Sequence, residues 1–499
     1  MILAIDQGTT GTTCLVIDRD GRVRGRSNRE IQQHFPRPGW VEHDAEEIWE
    51  VTRQLSAEAA GEAGTRLSAI EGIGITNQRE TVVLWDRETG QPVHRALVWQ
   101  DGRTREFCRR MKEEGKEERV RALTGLVIDP YFSATKLAWL LDHDEGLRER
   151  AEAGELAAGT IDSWLIWKMT GGRLHITDHT NASRTLLYNL DTAAWDETLL
   201  DTFRVPAAVL PEIRSSSEVY GTTDASAFGA EIAIAGIAGD QQAALFGQGC
   251  WAAGQGKNTY GTGAFLLMHT GERRAESKSG LLTTAACGPR GERAFAMEGA
   301  IFIAGAAVQW LRDGIGVIES AEETEALARS LESNDGVYFV PAFTGLGAPH
   351  WEPRARGTIV GLTRGTGTAH LTRAALEAMA YASCDVAMAM QADSGTAMHE
   401  LRVDGGASAN DWLMQFQADM LEVPVRRPAM VETTAFGAAG LAGLALGFWA
   451  TPEEFLAARE EETVFEPRAE KLRGEWMDGW RRALTAATAW AETDGEGTP

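Results

Sequence analysis

The chain opens on a short apolar run, Ile2 to Ile5, closed by Asp6 and the polar turn Gln7-Gly8-Thr9-Thr10-Gly11, before a second apolar run from Cys14 to Ile17. This spacing predicts strand, tight Gly/Thr turn, strand, with Asp18 to Gly21 as the next hairpin turn. A related pattern returns in the second half as Leu401-Arg402-Val403, then Asp404-Gly405-Gly406, then helical periodicity from Asp411 to Leu421. A third Gly/Thr turn stands at Tyr260-Gly261-Thr262-Gly263, and a fourth turn, Ala238-Gly239-Asp240-Gln241, follows the apolar run Ile232 to Ile237. Helical stretches lie at 44–60, 136–142, 372–392 and 411–421. Strands that end in small, acidic or hydroxyl-bearing turns, alternating with helices in both halves, point to an α/β fold of two similarly built parts.

A Gly-rich, weakly periodic segment at 248–258 sets the boundary near the midpoint, giving domains at 1–247 and 248–499. Residues 433–452 are free of charge, but Gly437, Gly440, Gly443 and Gly447 leave them only mildly apolar and Pro452 ends them. Small residues three or four apart let helix backbones approach closely, so this stretch reads as a buried helix rather than a membrane span. From about 452 the tail is helical and charged, and Trp476, Trp480 and Trp490 are expected to pack over the second domain.

Charge bounds the partners. The chain has 72 Asp plus Glu against 48 Lys plus Arg, a net charge of −24, which argues against nucleic acid or an anionic membrane. Cys14, Cys108, Cys250, Cys287 and Cys384 are scattered and form no CxxC pair, so neither a disulfide framework nor a zinc knuckle is indicated. The N-terminal MILAIDQG lacks the basic-then-apolar layout of a secretory signal, and the cytoplasm is the expected compartment.

Several common motifs are near misses. Gly256-Lys257 is followed by Asn258 and has Trp251 where a Walker A loop needs its first glycine. Gly72-Ile73-Gly74 and Gly365-Thr366-Gly367 both lack the third glycine of a dinucleotide fingerprint, and Ser408 has Asn410 where a nucleophile elbow needs glycine. What remains is the turn Asp6 to Thr10. Its glycine lets amide N–H groups converge and its threonines add hydroxyl donors, a phosphate cradle without a Walker lysine. Asp6 at the strand end could hold a hydrated Mg2+. The same pentapeptide also reads as an ordinary hairpin turn. Thr262 between glycines adds a second hydroxyl-bearing turn, and Gly405-Gly406 adds a third whose bare backbone would accept a flat ring. Three such turns from two halves suggest a nucleotide held in an interdomain cleft.

At this point the chain resembles the FGGY carbohydrate kinase family over essentially its full length. Both stretches by which that family is recognised are present, Tyr131 to His143 and Gly357 through His370 to Glu377. The resemblance implies a two-domain actin/hexokinase-like (ribonuclease H-like) ATPase fold with an interdomain active-site cleft. Four further segments, Pro38 to Asp44, Ile75 to Thr81, Gly125 to Tyr131 and Gly239 to Gly247, resemble the branch that phosphorylates glycerol with ATP to give sn-glycerol 3-phosphate. By that resemblance Asp240 is the catalytic base. Arg79, Glu80, Trp99, Tyr131, Asp240, Gln241 and Phe265 form the glycerol pocket. Thr9, Thr10, Gly11, Thr262, Gly305, Gln309, Gly406 and Asn410 hold the nucleotide, and Asp6 the Mg2+. Taken alone, Asp240 reads as a helix N-cap before Gln241-Gln242-Ala243-Ala244, Arg79-Glu80 as a solvated charge pair, and Trp99 and Phe265 as core aromatics. Relatives form dimers and tetramers, so a homodimer or homotetramer is implied.

Two departures stand out. The family's opening turn usually continues to an arginine that reaches the phosphates, and here Thr13 takes that place. Some members are inhibited by fructose 1,6-bisphosphate through a Gly-rich loop ending in arginine. The corresponding Asp224 to Glu231 ends in an acid, and no histidine lies between His179 and His269 for the phosphohistidine control of other members. Neither control is expected. The competing readings are a kinase for another small polyol or ketose, such as dihydroxyacetone or xylulose, and a non-catalytic actin-like ATP switch.

Overall fold

The computed structural model describes residues 1–430, 432–459, 462–469 and 471–493. The first half is organised on a six-stranded sheet built from β1 (Ile2–Gln7), β2 (Gly11–Ile17), β3 (Val23–Glu30), β4 (Gly72–Asn77), β5 (Ser217–Thr222) and β6 (Ala233–Gly239), in the order β5-β6-β4-β1-β2-β3. The second half carries a seven-stranded sheet of β7 (Gln255–Tyr260), β8 (Ala264–Gly271), β9 (Leu282–Cys287), β10 (Arg293–Ile301), β11 (Glu400–Asp404), β12 (Val425–Pro428) and β13 (Glu462–Phe465), in the order β9-β10-β8-β7-β11-β12-β13. The two leading strands behave alike. β1 runs antiparallel to β2 and parallel to β4, and β7 runs antiparallel to β8 and parallel to β11. The repeated strand–turn pattern of the sequence is thus a repeated sheet topology.

Alternation along β1 sends Leu3 and Ile5 to one face and Ile2 and Ala4 to the other, and all four are fully buried, so helices must cover both sides. On one side Leu3 and Ile5 pack with Ile48 and Leu55 of α1 (Ala45–Glu62) and Trp164 and Leu165 of α2 (Ile161–Met169). The Asp44 carboxylate starts α1 by accepting from the amides of Glu46 and Glu47. On the other side Ile2 and Ala4 pack with Phe246 of α3 (Asp240–Gly247) and Phe436 and Leu441 of α6 (Thr433–Ala445). The second sheet is covered by α4 (Thr368–Ser394) and α5 (Asp411–Leu421), whose Leu376, Met379 and Leu413 join Leu401 and Val403 in the largest core. The last helix, α7 (Arg473–Thr493), adds Trp480 to that core.

The uncharged stretch from 433 is therefore a buried helix, and among the described residues no helix is long and apolar enough to cross a membrane. It is shorter than the apolar run, ending at Ala445 ahead of Gly447, whose φ of 68° turns the chain away. Its glycines are needed for contact. A Cβ on Gly437 would lie 1.9 Å from the Ala243 carbonyl oxygen, and one on Gly74 would lie 2.0 Å from that of Ala438. Although α6 lies between β12 and β13 of the second sheet in sequence, it packs on the first.

Three details differ from the sequence reading. The last four residues of the Gly-rich 248–258 segment are strand, because β7 begins at Gln255. Asp240 is the first residue of α3 rather than its cap, which is Gly239. Of the tail tryptophans, Trp480 is buried and donates to Asp385 Oδ2 at 2.7 Å, and Trp476 packs on Phe416, whereas Trp490 is 60% exposed. All five cysteines are buried and unbridged.

Candidate active site between the two halves

Asp6 is the next-to-last residue of β1 and stands in register with Thr13 across the β1–β2 pair. The turn between them is tight, with the Gly8 amide donating to the Gly11 carbonyl at 2.9 Å. Gln78 pins it by donating to Gln7 Oε1 at 3.0 Å and to the Gly8 carbonyl at 3.2 Å. Burial, together with the nearby carboxylates of Asp240 and Glu432, pushes the Asp6 carboxyl up to about 7. Thr9 and Thr10 are open to solvent in part, and Thr9 Oγ1 accepts from Trp99 Nε1 at 2.9 Å. The Trp99 ring meets Tyr131 edge to face at 5.4 Å. An aromatic corner is thereby tied to the Gly/Thr turn.

Beside this corner lie Arg79 and Glu80, immediately after β4. They are not a solvated pair, being 3% and 1% exposed. Arg79 Nε stands 3.2 Å from Asp240 Oδ1, and its Nη1 donates to Glu298 Oε2 at 2.6 Å. Glu80, with a left-handed φ of 64°, accepts from Arg184 Nε at 2.7 Å. Arg184 also donates through Nη2 to Glu298 Oε1 at 3.0 Å. Burial acts to raise the Glu298 carboxyl, but Arg184 and Arg79 outweigh it and hold the group down to about 2. Glycine at 239 is required here, since a Cβ would come within 2.7 Å of Arg79 Cγ. Asp240 keeps about a third of its side chain exposed, so a carboxylate held by Arg79 still faces open space. Gln241 follows it and accepts from Lys257 Nζ of β7, which also donates to Thr259 Oγ1 at 2.8 Å.

In the second half a cavity of about 530 Å3 is walled by Thr262, Gly305, Gln309, Leu376, Gly406 and Asn410 among others, bringing together five residues that the sequence places on a nucleotide. Gly405, at φ 84°, lets the 404–406 turn press on Tyr260, where a Cβ would lie 2.3 Å from the carbonyl oxygen. At Gly406 a Cβ would meet nothing, leaving bare backbone beside the cavity. Asn410 also caps α5, its Oδ1 accepting from the Leu413 amide at 2.9 Å. Phe265 packs beside Leu245 of α3 and, among the described residues, makes no ring contact with Trp99.

Sequence reasoning missed Arg184, Glu298 and Lys257. Glu298 did carry a signal, as a lone acid inside the apolar strand Arg293–Ile301. Lys257, one of only seven lysines, is another charge within a strand and is fully buried.

Two sheets alike about their leading strands, a Gly-rich turn after each, and a partly open carboxylate beside a buried Arg/Glu pocket make an arrangement suited to phosphoryl transfer of the sugar-kinase type. The N-terminal domain of the FGGY family of carbohydrate kinases matches residues 1–247, and the C-terminal domain of that family matches residues 256–446. Relatives include a glycerol kinase of Burkholderia pseudomallei, 56% identical over 493 residues (98% of each chain), and one of Carboxydothermus hydrogenoformans, 57% identical over 491 residues (98% of each). Among solved structures, Plasmodium falciparum glycerol kinase with ADP superposes with a TM-score of 0.93 at 36% identity, covering 97% of this chain and 98% of that one. The chain belongs to the FGGY family of carbohydrate kinases.

Proposed function

We propose that this protein phosphorylates glycerol with ATP as donor, forming sn-glycerol 3-phosphate. The observation that carries this reading is the buried Arg79–Glu80 pair beside Asp240, in a chain 55–57% identical over its length to glycerol kinases. A triol presents adjacent hydroxyls that each need a donor and an acceptor, and Arg beside Glu supplies both. Sites built this way discriminate strongly, because an analogue lacking a hydroxyl leaves buried polar groups unpaired. Trp99 and Phe265 offer apolar faces to the C–H side of glycerol, and Tyr131 and Gln241 complete the pocket.

In the reaction, Asp240 accepts the proton of the attacking hydroxyl as its oxygen bonds to the γ-phosphorus and the bond to the β-bridging oxygen breaks, releasing ADP. Arg79 keeps the Asp240 carboxylate aimed at the substrate, and the chain otherwise acts by positioning. Thr9, Thr10, Gly11 and Thr262 donate to the phosphates, and Gly305, Gln309, Gly406 and Asn410 receive the rest of the nucleotide. Asp6 suits Mg2+. A hard cation of this kind takes oxygen ligands such as a carboxylate. When bound, that cation supplies charge neutralisation on the phosphates.

The reading assigns the polyol and the base to residues 1–247 and the nucleotide to 248–499, in a cytoplasmic homodimer or homotetramer. Neither fructose 1,6-bisphosphate nor a phosphohistidine controls it. The deciding experiment is ATP-dependent turnover of glycerol, dihydroxyacetone, xylulose and gluconate by the purified chain. A preference for any of the other three over glycerol would overturn the assignment.

A further inference from the structure

Glu298 lies in the middle of β10, on the second half's sheet, yet its carboxylate is spent on the first half's pocket. Oε2 accepts from Arg79 Nη1 at 2.6 Å, and Oε1 accepts from Arg79 Nη2 at 3.2 Å and from Arg184 Nη2 at 3.0 Å. Arg184 is wholly buried and passes the constraint on, donating from Nε to Glu80 Oε1 at 2.7 Å while its guanidinium lies over the Tyr131 ring at 5.7 Å. Glu80 needs such a hold. Its left-handed backbone is one that a glutamate seldom adopts, and its carbonyl is tied to Ser133 Oγ at 2.9 Å. Among the described residues Arg184 Nη1 has no hydrogen-bond partner, while its Nε and Nη2 each donate to a carboxylate. Its position is explained by the two carboxylates it joins.

We propose that Glu298 is a positioning residue for polyol recognition: one carboxylate from the second half fixes Arg79 directly and Glu80 through Arg184, so hydroxyl selectivity depends on how β10 docks against the first half. This rests on the reading that the pocket binds glycerol. A purely structural ion cluster would affect folding and both substrates alike. A positioning role separates them, because the hydrogen bonds that Glu298 makes among the described residues go to Arg79 and Arg184, on the polyol side. Buried charge-assisted hydrogen bonds of this kind are the strong ones.

The test uses the full chain. Wild-type turnover of glycerol is measured first, and its absence would strike the functional reading, leaving selectivity among whichever polyol the panel identifies as the measure of the clamp. KM and kcat are then determined for glycerol, propane-1,2-diol and ATP in Glu298→Gln, Glu298→Asp and Arg184→Lys, with thermal midpoints recorded. The expected result is a glycerol KM raised about 10- to 100-fold, with ATP KM within twofold of wild type. The glycerol-to-diol ratio of kcat/KM should also fall at least about tenfold. Should Glu298→Gln fail to fold, Glu298→Asp, which keeps the charge one methylene short, and Arg184→Lys, which keeps the cation without the fork, decide the matter. A folded variant with glycerol KM and the diol ratio within threefold of wild type overturns the proposal, as does an ATP KM that rises in step with that of glycerol.

Discussion

Replacing Gly437 by alanine sets two effects of opposite sign against each other. Gly437 is interior to α6, where alanine is favoured over glycine by about 1 kcal/mol on helix propensity alone. Against this, the new Cβ would lie 1.9 Å from the Ala243 carbonyl oxygen and 3.0 Å from the Gly247 amide nitrogen. Ordinary contact begins near 3.4 Å, so α6 and α3 must separate by 3.4 − 1.9 = 1.5 Å, and both obstacles are backbone that cannot rotate aside. Overpacking costs typically about 1–3 kcal/mol, and a backbone clash belongs at the top of that range, so the net expectation is a loss of about 2 kcal/mol. The functional consequence follows from what α3 carries. Its first residue is Asp240, and a displacement of about 1 Å in a catalytic group can cost on the order of 100-fold in rate. Gly437→Ala is therefore expected to lower both the urea midpoint, followed by tryptophan fluorescence, and kcat by about 30- to 100-fold. Gly61→Ala in α1 is the control, because a Cβ there meets nothing, and it should be neutral or stabilising by up to about 1 kcal/mol with kcat unchanged. A Gly437→Ala protein with an undiminished midpoint and kcat within twofold of wild type would refute the reasoning.

Asp240→Asn should lower kcat about 1,000-fold while calorimetric glycerol affinity stays within about threefold, and retention of a tenth of wild-type kcat would remove Asp240 as the base. Thr13→Arg, which puts a cation in register with Asp6, should lower the ATP KM about fivefold, whereas an unchanged value would mean that this position does not meet the phosphates. Burial pushes His43 and His269 down to about 4, so both stay neutral in the folded protein but take up protons on unfolding below the ordinary histidine range. Stability should accordingly fall as pH drops from about 7 toward 4, by about 2 kcal/mol per residue at pH 5, and His43→Gln or His269→Gln should each flatten that slope in urea melts at pH 7 and 5.

Local pattern carried a large part of the fold. The β1 turn, the helix expected at 44–60 and the span of α5 were legible because each is set by residues adjacent in sequence, through alternation and a 3.6-residue period. Asp240 was legible as a site residue only through family resemblance, since its spacing alone reads as a cap. Arg184 was not legible and Glu298 showed only as a lone acid in an apolar strand, because their partners are 104 and 219 residues away and local pattern does not say what a buried charge pairs with. The same limit applies to α6. Its composition announced a close helix contact but gave no sign that the surface it meets belongs to the other half.

That crossing of α6 bears on how the protein is made. When residue 247 has been synthesised, the first sheet has all six strands but only α3 on the face that holds Ile2, Ala4, Leu15 and Ile17. Most of the remaining cover, α6 with Phe448, Trp449 and Phe455, arrives with residues 433–455, about 200 residues later. At roughly 5–20 residues per second the nascent first half carries an apolar face open to water for about 10–40 s, long enough to engage a chaperone or a neighbouring nascent chain. A fragment ending near the midpoint would carry that face permanently, and should be rescued in solution by a separately supplied second half.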